Sequence, residues 1–154
     1  MTNNAGKQRK SWKELPPEQI AALMNRKSEG YLTGLLGFTL VSVSKERVLA
    51  RMEIEKHHLA PNGYLHAASV VALADSTCGF AVSMHLPEGA EGFTTMEMKT
   101  NFLSTARSGF ILCEGMPAHI GRRTQVWDAR VWDGVSSRNI ALFRCTQMVF
   151  FKQE

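Results

Sequence analysis

The sequence predicts an α+β domain, a curled antiparallel sheet of five to six strands wrapped around one long central helix. Three observations predict it. Tyr64 to Leu86 has no internal proline, stops before Pro87, and is apolar or small on nearly every side, as a buried helix is. Beyond the Pro87-Glu88-Gly89 turn the pattern switches to strict alternation and keeps it to the end of the chain. The 154 residues, 44% of them hydrophobic, suit a single core, so the sheet itself has to cover the helix.

Residues 1–30 read as a basic extension carrying Lys7, Arg9, Lys10, Lys13, Arg26 and Lys27. Within it, Met1 to Ser11 is polar and expected to be disordered. Pro16-Pro17-Glu18 opens a short helix to about Lys27, because proline is tolerated in a first turn and glutamate suits that end of the dipole. The domain proper spans 31–154. Leu35 to Ser44 and Arg47 to Glu55 read as strands joined by Lys45-Glu46; in the second, Val48, Ala50, Met52 and Ile54 mark the buried face. His57 to Gly63 is a turn by its Pro61-Asn62-Gly63. After the long helix come strands Phe93–Leu103, Phe110–Ile120, Thr124–Asp133 and Asn139–Phe151, separated by turn signals at Arg107-Ser108-Gly109, Gly121 and Asp133-Gly134. Leu142, Phe143, Met148, Val149 and Phe150 are expected to include uncovered apolar positions that edge pairing of two sheets would hide.

Composition excludes several classes. The formal charge of +4 is concentrated near the N-terminus, but no zinc-finger spacing, RNA-binding aromatic signature or second basic helix accompanies it, so nucleic-acid binding is rejected. Cys78, Cys113 and Cys145 lie far apart in apolar runs, which is neither a disulfide framework nor a metal spacing and implies a reducing, cytoplasmic setting. The apolar stretch from Leu65 to Met84 is interrupted by Asp75 and is not expected to span a bilayer, and the basic N-terminus lacks a secretory signal's apolar core. His57 and His58 adjoin in a turn without a carboxylate cluster and read as surface or structural, not as metal ligands. Cys78 reads as packing, since the anionic Asp75 one turn earlier opposes thiolate formation. Trp127 and Trp132 occupy alternating strand positions and read as core or sheet-face residues.

Asp75 carries the chemistry. Between Lys56 and Glu88 it is the only residue with a formal charge at pH 7, histidines aside, and it sits mid-helix. Its helical neighbours Val71, Ala72, Cys78 and Gly79 cannot neutralise it, so either another element supplies partners or a ligand does. Two turns earlier, Asn62-Gly63-Tyr64-Leu65-His66 precedes a helix start whose first free amides belong to Ala67 and Ala68. Such amides stabilise a developing oxyanion, and with a carboxylate they make an acyl-hydrolysis constellation.

These residues resemble the hotdog-fold acyl-CoA thioesterases of the phenylacetate-operon type. The resemblance covers about residues 31–151 and rests on His58-Leu59-Ala60-Pro61-Asn62-Gly63-Tyr64-Leu65-His66-Ala67-Ala68, with Asp75 nine residues after His66. Phe93-Thr94-Thr95-Met96-Glu97-Met98-Lys99, Asn101-Phe102-Leu103 and Gly121-Arg122-Arg123-Thr124 extend it. It implies that Asp75 acts as general base or nucleophile, that the Ala67 amide polarises the thioester carbonyl, and that the Thr95 hydroxyl orients water. Asn62 is then set to hold the carbonyl or the water, while His66 braces the turn. Gly63, Ala68, Arg122, Arg123 and Thr124 are assigned to the acyl-CoA, the arginines to its phosphates; without the resemblance they read equally well as a solvated hairpin tip. The family commonly has glycine at one or both positions after the motif histidine, and here both are alanine, which narrows the backbone approach of the ester. The resemblance further implies no metal or redox cofactor, and a homodimer, paired into a tetramer, with the site between protomers. Two rival functions are a hydratase or dehydratase on the same fold, using His66 with the carboxylate, and a non-catalytic acyl-CoA-binding protein.

Overall fold

The computed structural model describes residues 11–152. Its helices are α1 (Pro17–Ser28), the one-turn α2 (Leu32–Leu35) and α3 (Ala67–Met84). Its strands are β1 (Phe38–Val43), β2 (Val48–Glu53), β3 (Ala90–Phe102), β4 (Phe110–Ile120), β5 (Thr124–Asp133) and β6 (Asn139–Phe151). All six join one antiparallel sheet in the order β1-β2-β4-β5-β6-β3. The disorder expected for Met1 to Ser11 lies outside the described residues except at Ser11, whose side chain accepts from the Lys13 amide.

The last three strands have the bounds that alternation predicts, and the departures from expectation have local causes. The strand expected from Leu35 begins at Phe38, because the preceding residues close a turn of helix. The helix expected from Tyr64 begins at Ala67, because the backbone before it is engaged elsewhere: Leu65 N–H donates to Ala106 O and His66 N–H to His58 O, each at 2.9 Å. The third strand starts at Ala90, paired with Phe151, instead of at Phe93.

The sheet curls around α3, burying Val70, Leu73, Ala74, Cys78, Ala81 and Val82 against residues such as Met52, Ile111, Cys113 and Trp127. By length and a mean hydropathy of 1.4 alone α3 could cross a membrane; the enclosing sheet accounts for that apolar character instead. The close approach needs Gly115 on β4, where a Cβ would stand 3.2 Å from Thr77 Cγ2. All three cysteines are buried free thiols; burial pushes Cys113 up to about 12, and the hydrogen bond with Cys145 together with burial pushes Cys78 well above the usual thiol range. That agrees with reading Cys78 as packing.

The two sheet edges are treated differently. At the β1 edge, Asn25 of α1 imitates a neighbouring strand, donating from Nδ2 to Leu40 O and accepting from Leu40 N–H, both at 2.9 Å. Ile20, Ala21 and Met24 bury in the same core, so the helix drawn above as part of a basic extension is packed into the domain. The boundary at residue 30 followed the charge pattern, whose only cations on α1, Arg26 and Lys27, lie on its exposed face. Among the described residues the β3 edge has no such cover, and it exposes Met96, Met98 and Phe102. Of the five apolar residues expected to include uncovered ones, Leu142, Met148 and Phe150 do face outward, but Phe143 and Val149 point at the helix side and are buried. They also lie on β6, an interior strand, so β3 is the edge available for pairing.

Candidate active site

The turn before α3 is held by its own backbone and by one buried histidine. A 3-10 turn, Lys56–His58, brings the His58 ring inward. There Nδ1 accepts from Glu55 N–H at 2.9 Å, which forces the proton onto Nε2, and Nε2 donates to Leu36 O at 3.0 Å. Burial, and then the nearby His57, holds its pKa below the ordinary imidazole value, so the ring stays neutral. His58 is therefore a strut with both nitrogens occupied, the structural reading of that residue. Its carbonyl also receives Ser69 Oγ at 2.9 Å, which ties α3 to the turn. Ala60 N–H donates to Tyr64 O at 2.8 Å and Gly63 N–H to Ala60 O at 2.9 Å, while Asn62 Oδ1 accepts from Tyr64 N–H at 3.2 Å. Gly63 sits at φ +80°, a left-handed conformation that glycine takes without strain.

The start of α3 then leaves one amide over. His66 is the N-cap, and its Nδ1 accepts from Ala68 N–H at 2.9 Å. Ser69 and Val70 donate to His66 O at 3.0 and 3.4 Å. Ala67 N–H alone in this first turn has no partner among the described residues, and Ala67 is exposed. This corrects the expectation of two free amides: the cap consumes that of Ala68. His66 braces the turn in the way the resemblance implies, with Nδ1 spent on the cap.

Asp75 is half-buried on α3, and another element does supply its partner. Thr95 Oγ1 lies 3.2 Å from Asp75 Oδ1 and 3.1 Å from Gln147 Oε1. A bulge between Thr95 and Glu97 shifts the β3 register against β6 immediately after this residue. Burial raises the Asp75 pKa above its ordinary value, and the Thr95 hydrogen bond partly opposes the rise. The fully buried Gln147 and Gln125 were missed in the sequence, although both stand at inward positions of their alternations. Gln147 Nε2 reaches Cys145 Sγ at 3.3 Å; Gln125 accepts from Trp127 Nε1 at 3.1 Å and donates to His85 O at 3.2 Å. Trp127 is thus a core residue, and Trp132 lies half-buried beneath the Arg130 guanidinium, 4.4 Å from its ring centre.

Arg122, Arg123 and Thr124 form the exposed β4–β5 turn, closed by Gly121 N–H donating to Thr124 O at 3.0 Å. Both guanidiniums lie over Phe151, 4.7 and 5.8 Å from its ring centre. Adjacent Gln125 contacts His85, so this turn sits beside the end of α3, whereas Ala67 begins the helix about 27 Å away at 1.5 Å per residue. One chain therefore joins Asp75 to Thr95 and gathers Asn62, Gly63, His66, Ala67 and Ala68 in one turn. It does not bring Arg122, Arg123 or Thr124 to that turn.

Residues 62–138, which hold the turn, Ala67, Asp75 and Thr95, match the thioesterase superfamily. The chain belongs to that superfamily. A 1,4-dihydroxy-2-naphthoyl-CoA hydrolase of Listeria monocytogenes is 30% identical over 121 residues, 77% of this chain and 95% of that protein. The proofreading thioesterase EntH of Klebsiella pneumoniae is 27% identical over 123 residues, 80% of this chain and 87% of the relative. A thioesterase from Haemophilus influenzae superposes with a TM-score of 0.81 at 25% identity, covering 87% of this chain and 92% of the other. The PaaI protein of the Escherichia coli phenylacetic acid degradation operon shares the fold, with a TM-score of 0.73 at 18% identity over 85% and 94% of the two chains. This thioesterase has the hotdog fold, and its general chemistry is thioester hydrolysis.

Proposed function

We propose that this thioesterase hydrolyses an acyl-CoA to the free acid and CoA, with Asp75 as general base or nucleophile and the Ala67 amide polarising the carbonyl. The observation that carries this is the single unpartnered amide at the start of α3, in a chain whose only carboxylate on that helix is half-buried and hydrogen-bonded by Thr95. The amide stabilises the oxyanion as the carbonyl is attacked. Asp75 takes the proton of the attacking water or attacks directly, and the C–S bond breaks to release the thiol. Asn62 Nδ2 has no partner among the described residues and is available for the carbonyl or the water, since the turn uses Oδ1. Polarisation and proton transfer are thus both supplied by the chain, and the scheme calls on no metal or redox cofactor. The naphthoyl-CoA hydrolase among the relatives supports a CoA thioester as the substrate class. A hydratase would need a histidine free beside the carboxylate, and the capping role of His66 argues against it. Three buried unpaired thiols suit a cytoplasmic setting.

Helix geometry supports a homodimer with the site between protomers. Ala67 and Asp75 are eight residues apart, about 12 Å along the axis, too far for both to reach one carbonyl. In this reading a second copy supplies one of them, and the open β3 edge offers the contact. Antiparallel pairing of two β3 strands also turns the partner's opposite sheet end toward this helix start, which is how its arginine turn would reach the CoA phosphates. Outward Met116 and Leu142 offer a further apolar face for pairing dimers into a tetramer. Light scattering is expected to give at least twice the 17.1 kDa chain mass; a stable, active monomer would exclude the shared site.

Changing Arg122 and Arg123 together to Ala is expected to raise KM and leave kcat nearly intact, because phosphate contacts are equal in ground and transition states. The effect should shrink at high salt. Kinetics unchanged at low salt would make the turn a solvated hairpin tip. The substrate class itself is tested by a panel of aliphatic and aromatic acyl-CoAs with released thiol as the readout. Steady thiol release from at least one ester is expected, and tight binding without turnover would identify a non-catalytic acyl-CoA-binding protein.

A further inference from the structure

The Thr95 hydroxyl has one proton and two acceptors within reach, Asp75 Oδ1 at 3.2 Å and Gln147 Oε1 at 3.1 Å. It cannot serve both. Gln147 is fully buried, and its other terminus meets Cys145 Sγ at 3.3 Å. A half-turn of the Gln147 carboxamide exchanges donor and acceptor with little displacement of heavy atoms. Two chains of hydrogen bonds, of opposite direction, therefore fit the same positions. In one, Cys145 S–H donates to Gln147 Oε1, Gln147 Nε2–H to Thr95 Oγ1, and Thr95 O–H to an ionised Asp75. In the other, a protonated Asp75 donates to Thr95 Oγ1, Thr95 O–H to Gln147 Oε1, and Gln147 Nε2–H to Cys145 Sγ.

We infer that Gln147 is a positioning residue whose carboxamide reverses with the protonation of Asp75, so that Thr95 serves both states of the base. An ionised carboxylate is the stronger acceptor and selects the first chain. When the water proton arrives on Asp75 the second chain gives both the new carboxyl proton and the Thr95 proton an acceptor, so the proton is taken up at little cost. No bond other than hydrogen bonds changes in the reversal, and no proton leaves the network. The other titratable groups facing Asp75 among the described residues are the Cys78 thiol on its own helix, which the hydrogen bond with Cys145 and burial push well above the usual thiol range, and the Cys145 thiol on β6, which the same hydrogen bond holds below it; the reversal takes no proton from either. The inference rests on the general-base reading of Asp75, but its central test does not.

That test follows the side-chain amide resonances of Gln147 and the carboxyl carbon of Asp75 by NMR against pH in the unmodified protein. Both are expected to shift with one midpoint, and the Gln147 response should vanish in Thr95→Val. Gln147 resonances that stay flat through the Asp75 titration overturn the inference, whether or not any acyl-CoA is turned over. Kinetically, Gln147→Met keeps the side-chain length and removes both polar atoms. Protonated Asp75 then strands the Thr95 proton, so the Asp75 pKa and the acid limb of kcat/KM should move to lower pH. Plateau kcat should fall about tenfold, the scale of one lost hydrogen bond, with KM within about twofold because Gln147 touches no solvent. A folded Gln147→Met with wild-type kcat and an unmoved acid limb would show a merely structural glutamine. Should that variant not fold, the NMR titration of the unmodified protein decides alone.

Discussion

Asp75→Asn is expected to lower turnover by roughly 10²–10⁴-fold, the range for losing a positioned base, while KM stays close to its original value. The amide keeps the shape and the contact with Thr95 but has no lone pair basic enough to take a proton. Stability is expected to hold or rise at neutral pH. The sign follows from burial, which raises the folded-state pKa above the ordinary carboxylate value of 3.8. Well below that value the group is protonated in both folded and unfolded chains and contributes nothing to the pH dependence. Above the raised pKa it is ionised in both, and the folded chain bears the full cost of the desolvated charge. The native protein therefore loses stability as pH rises through that window, and the Asn variant does not. Thermal melts at acidic and neutral pH, run beside single-turnover thiol release, check both halves. An active but destabilised Asn variant would make Asp75 a structural carboxylate.

Ala67→Pro is expected to cost roughly 10²–10³-fold in kcat, as removal of one oxyanion donor does. The substitution is unusually clean here. Proline is favoured at the first helical position, and His66 already has the extended backbone (φ −69°, ψ 138°) that a following proline requires. The only hydrogen-bond donor deleted is one with no partner among the described residues. Combining Ala67→Pro with Asp75→Asn in one dimer then reads the sharing of the site. If each site takes Ala67 from one protomer and Asp75 from the other, a mixed dimer contains one intact site and one doubly defective site. Subunit exchange should restore roughly a quarter of the unmodified rate, since half the exchanged dimers are mixed and each regains one of two sites. Exchanged mixtures that remain as inactive as the two variants alone would return both groups to a single chain.

Much of this protein could be read locally. The alternation of Phe110–Ile120, Thr124–Asp133 and Asn139–Phe151 defined three strands to the residue, because side-chain period is a property of the strand itself. Asp75 stood out as the lone formal charge in an apolar helix, and the Asn62-Gly63 turn marked where that helix had to begin. The Phe143 and Val149 positions were legible too, had the alternation of β6 been followed through to its inward face.

Other features depend on what lies far away in the chain. Thr95 meets Asp75 and Gln147 only because β3 pairs with β6 in one register, with a bulge just beyond Thr95. α1 joined the core through Asn25, fifteen residues before the Leu40 backbone it meets at the edge of β1. Sequence by itself determined the elements, the single helix carboxylate and the turn before it, since propensity, periodicity and isolated charge act over a few residues. Tertiary structure alone decided which polar atoms found distant partners and which sheet edge stayed open. Those are matters of strand register and long-range packing that no local pattern encodes.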